Sequence, residues 1–446
     1  MRITTIGVAL IAVAAAACRR GERSPSGSAD TASVRQSATP VPQVPRFPAG
    51  LPDLKIAPWS GLSAACNGST VRDIRPCMQS FVDAGHVHGL VTLVDDPAVG
   101  TQLDAVGRYR PHTLFQIMSM TKPVTSVAIM RLVEAGKISS VDTRVVALPG
   151  LGDFPYPEIT VKQLLTHTSG IWYWREPQPG VRTGIAPHLT NRFDKAPDVT
   201  TRDKSLDFVA RHYANPTLYP LGSTDPEYSN IGYTMLGWIV ERVSGQPFDR
   251  FVRQEILAPL GMTDTFFFPD SASPDQRDRI ASLDRRLPDP AEYAHYDERR
   301  PGWVYPSPEG GLYSTATDLR QFLLLFRHRG QIPGHSRVLS ERSIDLLLRD
   351  QLPAQDFAPV VGVRCAGNVG RSLGFFVVRK QGCADLPGFG PGTVEHDGRF
   401  ATDFWYDPSH DRIAVFLYQI VKNGESTPSV AENDMFKQLL ARLEPR

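Results

Sequence analysis

Ser119-Met120-Thr121-Lys122 sets a hydroxyl and an amine three residues apart at the head of an apolar run. A serine hydroxyl at its free pKa is a weak nucleophile and needs a neighbouring group to take its proton. On an α-helix, positions i and i+3 share one face and are offset by about 4.5 Å along the axis. The spacing therefore suits proton transfer from Ser119 to Lys122. Flanking residues predict the helix: Pro123 is tolerated in a first turn, Val124 to Val133 is rich in Val, Ile, Met, Leu and Ala, and Gly136 supplies a stop. A helix apolar on most sides is buried, and a buried lysine has a partner or a lowered pKa. The positive end of its dipole would favour an oxyanion near Ser119. A capping serine beside a solvated lysine is the ordinary alternative for an isolated match. This is the only Ser-x-x-Lys in a chain poor in Lys and rich in Arg.

Two further clusters carry candidate chemistry. Tyr228-Ser229-Asn230 precedes a helical pattern from Ile231 to Val243 that ends at Ser244-Gly245. A phenol next to an ammonium is driven towards phenolate and can then act as a base. Asn230 can donate its amide to a substrate carbonyl, or simply cap the helix. His396-Asp397-Gly398 ends a strand-like run. Gly398 lets a substrate approach the backbone, and the N–H of Arg399 would face an oxyanion; a plain β-turn is the alternative.

The elements that must position these groups follow from periodicity. Leu90 to Val94 reads as a strand, followed by a turn and the Ser119 helix. Ile159 to Leu165 leads into a polar turn, Thr166 to Gly170, whose His167 is expected to tie down backbone more than to act as a base. Phe248 to Leu257 and Thr317 to Phe326 read as helices. Trp172 to Pro226 and Leu283 to Ser307 are irregular, and Trp172, Tyr173 and Trp174 are candidates for the acyl pocket, with plain packing as the ordinary alternative. Four short strands follow, Leu373–Val378, Thr393–His396, Ala401–Tyr406 and Arg412–Tyr418, then a helix from Asn433 to Leu443. The expected class is α+β, with a helical insertion over about 166–330.

At 446 residues the chain can bury a large core, and a net charge of +1 offers no case for nucleic acid. Residues 1–18 read as a secretion signal: Arg2, an apolar run from Ile3 to Ala14, and small residues before Cys18. Cys18 resembles the lipidated first residue of a bacterial lipoprotein, although Ala replaces the usual Leu three places before it. Lipidation with a membrane tether is expected, with ordinary cleavage as the rival. Residues 19–50 are Ser-, Pro-, Ala- and Arg-rich and would form a disordered tether; 51–446 would be the folded domain. Export to a bacterial cell envelope fits the remaining cysteines, Cys66, Cys77, Cys365 and Cys383. They permit three pairings, of which the local one, Cys66–Cys77 with Cys365–Cys383, closes two short loops and is preferred.

Ser119-x-x-Lys122, Tyr228-x-Asn230 and His396-x-Gly398, in that order, resemble the three signatures of the serine β-lactamase and penicillin-binding-protein superfamily. The wording around them, together with Leu164 to Ile171, Pro259 to Met262 and Gly310 to Thr315, is similar to class C β-lactamases and family VIII carboxylesterases. The resemblance implies a β-lactamase/transpeptidase-like fold: a five-stranded antiparallel sheet flanked by helices, with an inserted helical domain. It implies that Ser119 is acylated, with Lys122 and Tyr228 sharing the proton transfers. Asn230 would orient the acyl group, and the N–H groups of Ser119 and Arg399 would form the oxyanion hole. His396 stands where lactamases carry a lysine that helps to hold a carboxylate. A histidine is mostly neutral near pH 7, which favours uncharged esters or amides.

The reading is thus an exported serine hydrolase acting on a small ester, amide or lactam through an acyl-enzyme, with short-chain esters first. A β-lactamase or D-amino-acid peptidase using the same residues is the rival, and a non-catalytic envelope ligand-binding module a more distant one. No Gly-x-Ser-x-Gly elbow or dinucleotide fingerprint occurs, and no cofactor is expected. His86 and His88 would need a third ligand to hold a metal.

Overall fold

A computed structural model describes residue 66 and residues 74–154, 156–171, 228–285, 306–352, 369–380, 387–421 and 431–443. The chain divides into two units, Met1–Gly50 and Leu51–Arg446, and every described residue lies in the second. Cys18, Trp172, Tyr173, Trp174, Cys365 and Cys383 fall outside the described residues.

The strands are β1 (Gly89–Asp96), β2 (Gly100–Gly107), β3 (Phe115–Gln116), β4 (Asp284–Arg285), β5 (Tyr313–Ser314), β6 (Val369–Arg371), β7 (Phe376–Val378), β8 (Val394–Gly398), β9 (Thr402–Asp407), β10 (Arg412–Leu417) and β11 (Ile420–Val421). Seven of them form one sheet in the order β2-β1-β10-β9-β8-β7-β6, with every neighbouring pair antiparallel. The sheet therefore has seven strands where five were expected. β2 pairs with β1 across the Asp96–Gly100 turn, and its half-exposed residues lack the apolar alternation that announces a strand. The run Leu373–Val378 is not one strand either. Gly374, at φ 104°, lies in the turn between β6 and β7, where a residue with a Cβ would be strained.

The helices are α1 (Ile74–Asp83), α2 (Thr121–Glu134), α3 (Val161–Leu165), α4 (Asn230–Ser244), α5 (Phe248–Val252), α6 (Pro274–Asp278), α7 (Ala316–Arg327), α8 (Glu341–Leu348) and α9 (Ala431–Ala441). The helix expected over Phe248–Leu257 is α5 running into a π-turn at Arg253–Leu257. Adjacent residues of a strand point to opposite faces, which places the layers. On β9, Phe404 meets Phe322 of α7, whereas Trp405 meets Phe436 of α9. The sheet is therefore covered on both faces. His396 lies opposite Phe404 and so shares the α7 face. Across the sheet, the buried Arg412 on β10 donates to Asp96 of β1 at 2.7 Å and to the Leu440 carbonyl of α9 at 3.1 Å. A disulfide joins Cys66 to Cys77 of α1, and Cys66 accepts from Arg442. Among the described residues no helix is long and apolar enough to cross a membrane.

α2 is the central helix that its composition predicts: Thr121 to Met130 and Leu132 are all buried. It packs against α4. Gly136, at φ 68°, follows its C-cap.

Candidate active site

Ser119 sits in a single 3-10 turn, Met118–Met120, that leads directly into α2. Met118 adopts a left-handed backbone, φ 49°, an uncommon and strained conformation for a residue with a long side chain. The turn is held from three sides. The Ile117 N–H donates to Leu312 O at 3.0 Å, and the Ile117 carbonyl accepts from Thr402 Oγ1 at 3.3 Å. Gly310 lies against Met118, and Gly398 against the Ile117 carbonyl. A Cβ on Gly398 would overlap both Thr402 Oγ1 and Ile117 O. The expected reason for Gly398 was the approach of a substrate; the structure adds the approach of the nucleophile turn itself.

Lys122 is fully buried, and its Nζ donates to Ser119 Oγ at 3.0 Å and to the Glu309 carbonyl at 2.7 Å. Burial pushes the amine down to about 7, against the opposing pull of the Glu309 and Asp397 carboxylates, with the Arg371 guanidinium adding to the depression. Near neutral pH a substantial share of Lys122 is thus a neutral amine able to accept a proton.

Tyr228 hydrogen-bonds to Ser119 through its phenol, and its ring centroid lies 4.7 Å from Lys122 Nζ. Of the two bases the sequence left open, the phenolate is disfavoured at this position. Burial drives the phenol well above its ordinary value, outweighing the Ser119 hydrogen bond. Tyr228 is a neutral hydroxyl, able to donate and to accept.

His167 supports this phenol. Its ring stacks on Tyr228 at 4.6 Å between centroids, and Nδ1 accepts from the Ser229 N–H at 3.0 Å. Burial and the nearby Arg371 and Lys122 charges hold it well below the usual histidine range. It is neutral, with the proton on Nε2, and ties down backbone as its turn suggested. Ser229, not Asn230, caps α4 by accepting from the Gly232 N–H at 3.0 Å. That leaves the Asn230 side chain uncommitted to capping. Its Oδ1 is buried and makes no hydrogen bond among the described residues.

On β8, His396 is buried between the rings of Tyr228 and Phe376, at 6.3 and 5.4 Å. Its Nδ1 lies 2.8 Å from the Asp397 carbonyl and so carries the proton, leaving Nε2 as an acceptor. Burial first, then the Lys122 charge, pushes its pKa well below 6.5. The third motif therefore presents a neutral ring. Arg399 opens the loop to β9, closed by the Ala401 N–H donating to Gly398 O at 3.0 Å. The amides of Ser119 and Arg399 donate to no backbone carbonyl among the described residues.

Ser119, Tyr228, Asn230, Asp397 and Arg399 are partly exposed, whereas Lys122 and His396 lie beneath them. Two contributors escaped the sequence reading. Glu309 offers its carbonyl to Lys122 and its carboxylate to Thr234 and Ser307, at 3.1 and 2.8 Å. Its only linear signal was the Gly310-Gly311 pair beside it. Arg371 lies buried 5.7 Å from the Tyr228 ring centroid, and no local pattern marks it. A second Ser-His-Asp grouping, Ser409, His410 and Asp407, is a turn. The same ring nitrogen of His410 faces both partners, so no relay runs through it. His86 and His88 precede β1, and no group of three or more potential ligands occurs among the described residues.

A family profile described as Beta-lactamase matches residues 74–437. Protein Rv1367c of Mycobacterium tuberculosis is 31% identical over 374 residues, covering 77% of this chain and 88% of that protein. Esterase EstB of Burkholderia gladioli is 31% identical over 262 residues, 54% of this chain and 62% of EstB. Among solved structures, EstCE1, a hydrolase with promiscuous acyltransferase activity, superposes with a TM-score of 0.62 at 20% identity, covering 86% of this chain and 99% of its own. The profile match and the site geometry agree with the three-motif reading: this chain belongs to the Beta-lactamase family of serine hydrolases.

Proposed function

We propose that the protein hydrolyses carboxylic esters of short acyl chains through a Ser119 acyl-enzyme. The observation that carries the chemistry is the 3.0 Å contact between Ser119 Oγ and a lysine amine held near 7. Ser119 Oγ attacks the ester carbonyl as its proton passes to Lys122 Nζ. The oxyanion settles against the N–H groups of Ser119 and Arg399. Collapse breaks the bond to the alkoxide, which takes a proton relayed from Lys122 through the Tyr228 hydroxyl. Water then attacks the acyl-enzyme, gives a proton to the same pair, and releases the carboxylic acid and free Ser119. Lys122 is the base in this scheme and Tyr228 the relay, because burial favours the neutral form of each. Asn230 would orient the acyl group.

The preference for esters rests on His396. A neutral ring with Nε2 as an acceptor gives no fixed charge for a substrate carboxylate, unlike an ammonium. Similarity to EstB over half of the chain supports the same choice. A β-lactamase or D-amino-acid peptidase built on the same residues is the competing reading, favoured by a matching profile described as Beta-lactamase. Export, with lipidation at Cys18, goes with either. The test is p-nitrophenyl acetate and butyrate beside a chromogenic cephalosporin. Ester turnover exceeding cephalosporin turnover is expected, and the reverse ranking would replace this reading. A fluorophosphonate probe should label Ser119; absence of label would return the chain to a binding role.

A further inference from the structure

Arg371 closes β6 and pairs across the ladder with Phe376 of β7. Its guanidinium carbon lies 4.1 Å from the Phe376 ring centroid and 5.7 Å from that of Tyr228. The side chain is only 4% exposed. Its permanent charge stands beside the ring that hydrogen-bonds to the nucleophile. Phe376 in turn touches His396 at 5.4 Å. The strand end is anchored separately: the Arg371 N–H donates to Asp350, whose carboxylate also accepts from Arg379 at 2.5 Å.

We propose that Arg371 is a positioning residue of this site, its stacked guanidinium holding the Tyr228 ring and keeping the Ser119–Lys122–Tyr228 trio poor in protons. It rests on the esterase-type acyl-enzyme reading above, but concerns how that site is tuned to neutral pH. Among the described residues, three charged groups act on Lys122. Glu309, from the loop before β5, and Asp397, on β8, both favour the charged form of Lys122, and Arg371 opposes them. The same guanidinium lowers His167, His396 and Tyr233 along with Tyr228. Removing it should therefore raise proton affinity throughout the cluster. Near pH 7 that converts neutral Lys122 into an ammonium that accepts nothing.

The test is the pH dependence of fluorophosphonate labelling of Ser119, and of kcat/KM for p-nitrophenyl acetate. Both are measured for the unaltered chain, Arg371→Gln and Arg371→Lys. The acidic limb should move to higher pH by about half a unit or more in Arg371→Gln. It should return towards its original position in Arg371→Lys, which restores the charge. A limb that stays put in Arg371→Gln, whatever happens to the plateau rate, overturns the proposal. If Arg371→Gln does not fold, Arg371→Met, which keeps an apolar stem against Phe376 without the charge, takes its place; its limb should move the same way, and an unmoved limb is again fatal. Failure of the unaltered chain to label at all is a different result, which removes the acyl-enzyme reading itself.

Discussion

Lys122 is an amine that the fold keeps out of water, and its chemistry follows from that. Burial disfavours the ammonium and brings it to about 7. Because the neutral form is the base, activity should rise with pH through the neighbourhood of 7 and then level off. A profile of kcat/KM that falls over this range would assign the base elsewhere. Ser119→Ala should abolish turnover, and Tyr228→Phe should lower kcat by on the order of 10², measured under substrate saturation. The same scale contains the main addition to linear reasoning. The sequence left open whether Lys122 or Tyr228 is the base; burial favours the neutral amine and the neutral phenol. Spacing identified the partners, but charge states depend on solvent exclusion, which no motif encodes. His167→Ala removes the acceptor of the buried Ser229 N–H and the ring beneath Tyr228. A destabilisation of about 1–3 kcal/mol is expected by chemical denaturation, with kcat reduced more than KM is changed.

At the scale of elements, the three motifs are joined by close backbone approaches. The turn before α2 meets β8 through Gly398, and the loop carrying Glu309 meets α4 at Gly237, where a Cβ would overlap Pro308. Gly398→Ala should therefore fold with reduced stability and a displaced nucleophile turn. The expected result is a drop in Ser119 labelling rate on the order of 10², followed by mass spectrometry, with a lowered melting temperature. α2, α4 and α7 were legible because their apolar content and stop signals are local. β2 and β6 were not legible. Among the described residues each is partnered on one side only, at an edge of the sheet, and owes its strand form to a neighbour more than to its own alternation.

For the molecule as a whole, the sheet is a spacer that brings chain-distant strands together. β1 and β10 are adjacent, with Leu93 opposite Val415, so the C-terminal strands close on the N-terminal one. Arg412 fastens this closure, bonded to Asp96 and to α9 at once. Arg412→Met strips the partner from a buried carboxylate and should cost about 3–5 kcal/mol in equilibrium unfolding. Loss of under 1 kcal/mol would show that the closure is held by apolar packing alone. The N-terminal segment through Gly50 and the second proposed cystine, Cys365–Cys383, lie outside the described residues.

What the sequence determined by itself was the chemistry available: Ser119, Lys122, Tyr228, Asn230 and the His396–Gly398 strand end, at spacings that recur in one superfamily. It could do so because nucleophile and base sit one helical turn apart, a local relation. The tertiary structure alone decided the protonation of those groups, the support of Tyr228 by His167, and the presence of Glu309 and Arg371. These depend on burial and on contacts between residues as distant as Lys122 and Glu309, which proximity along the chain does not encode.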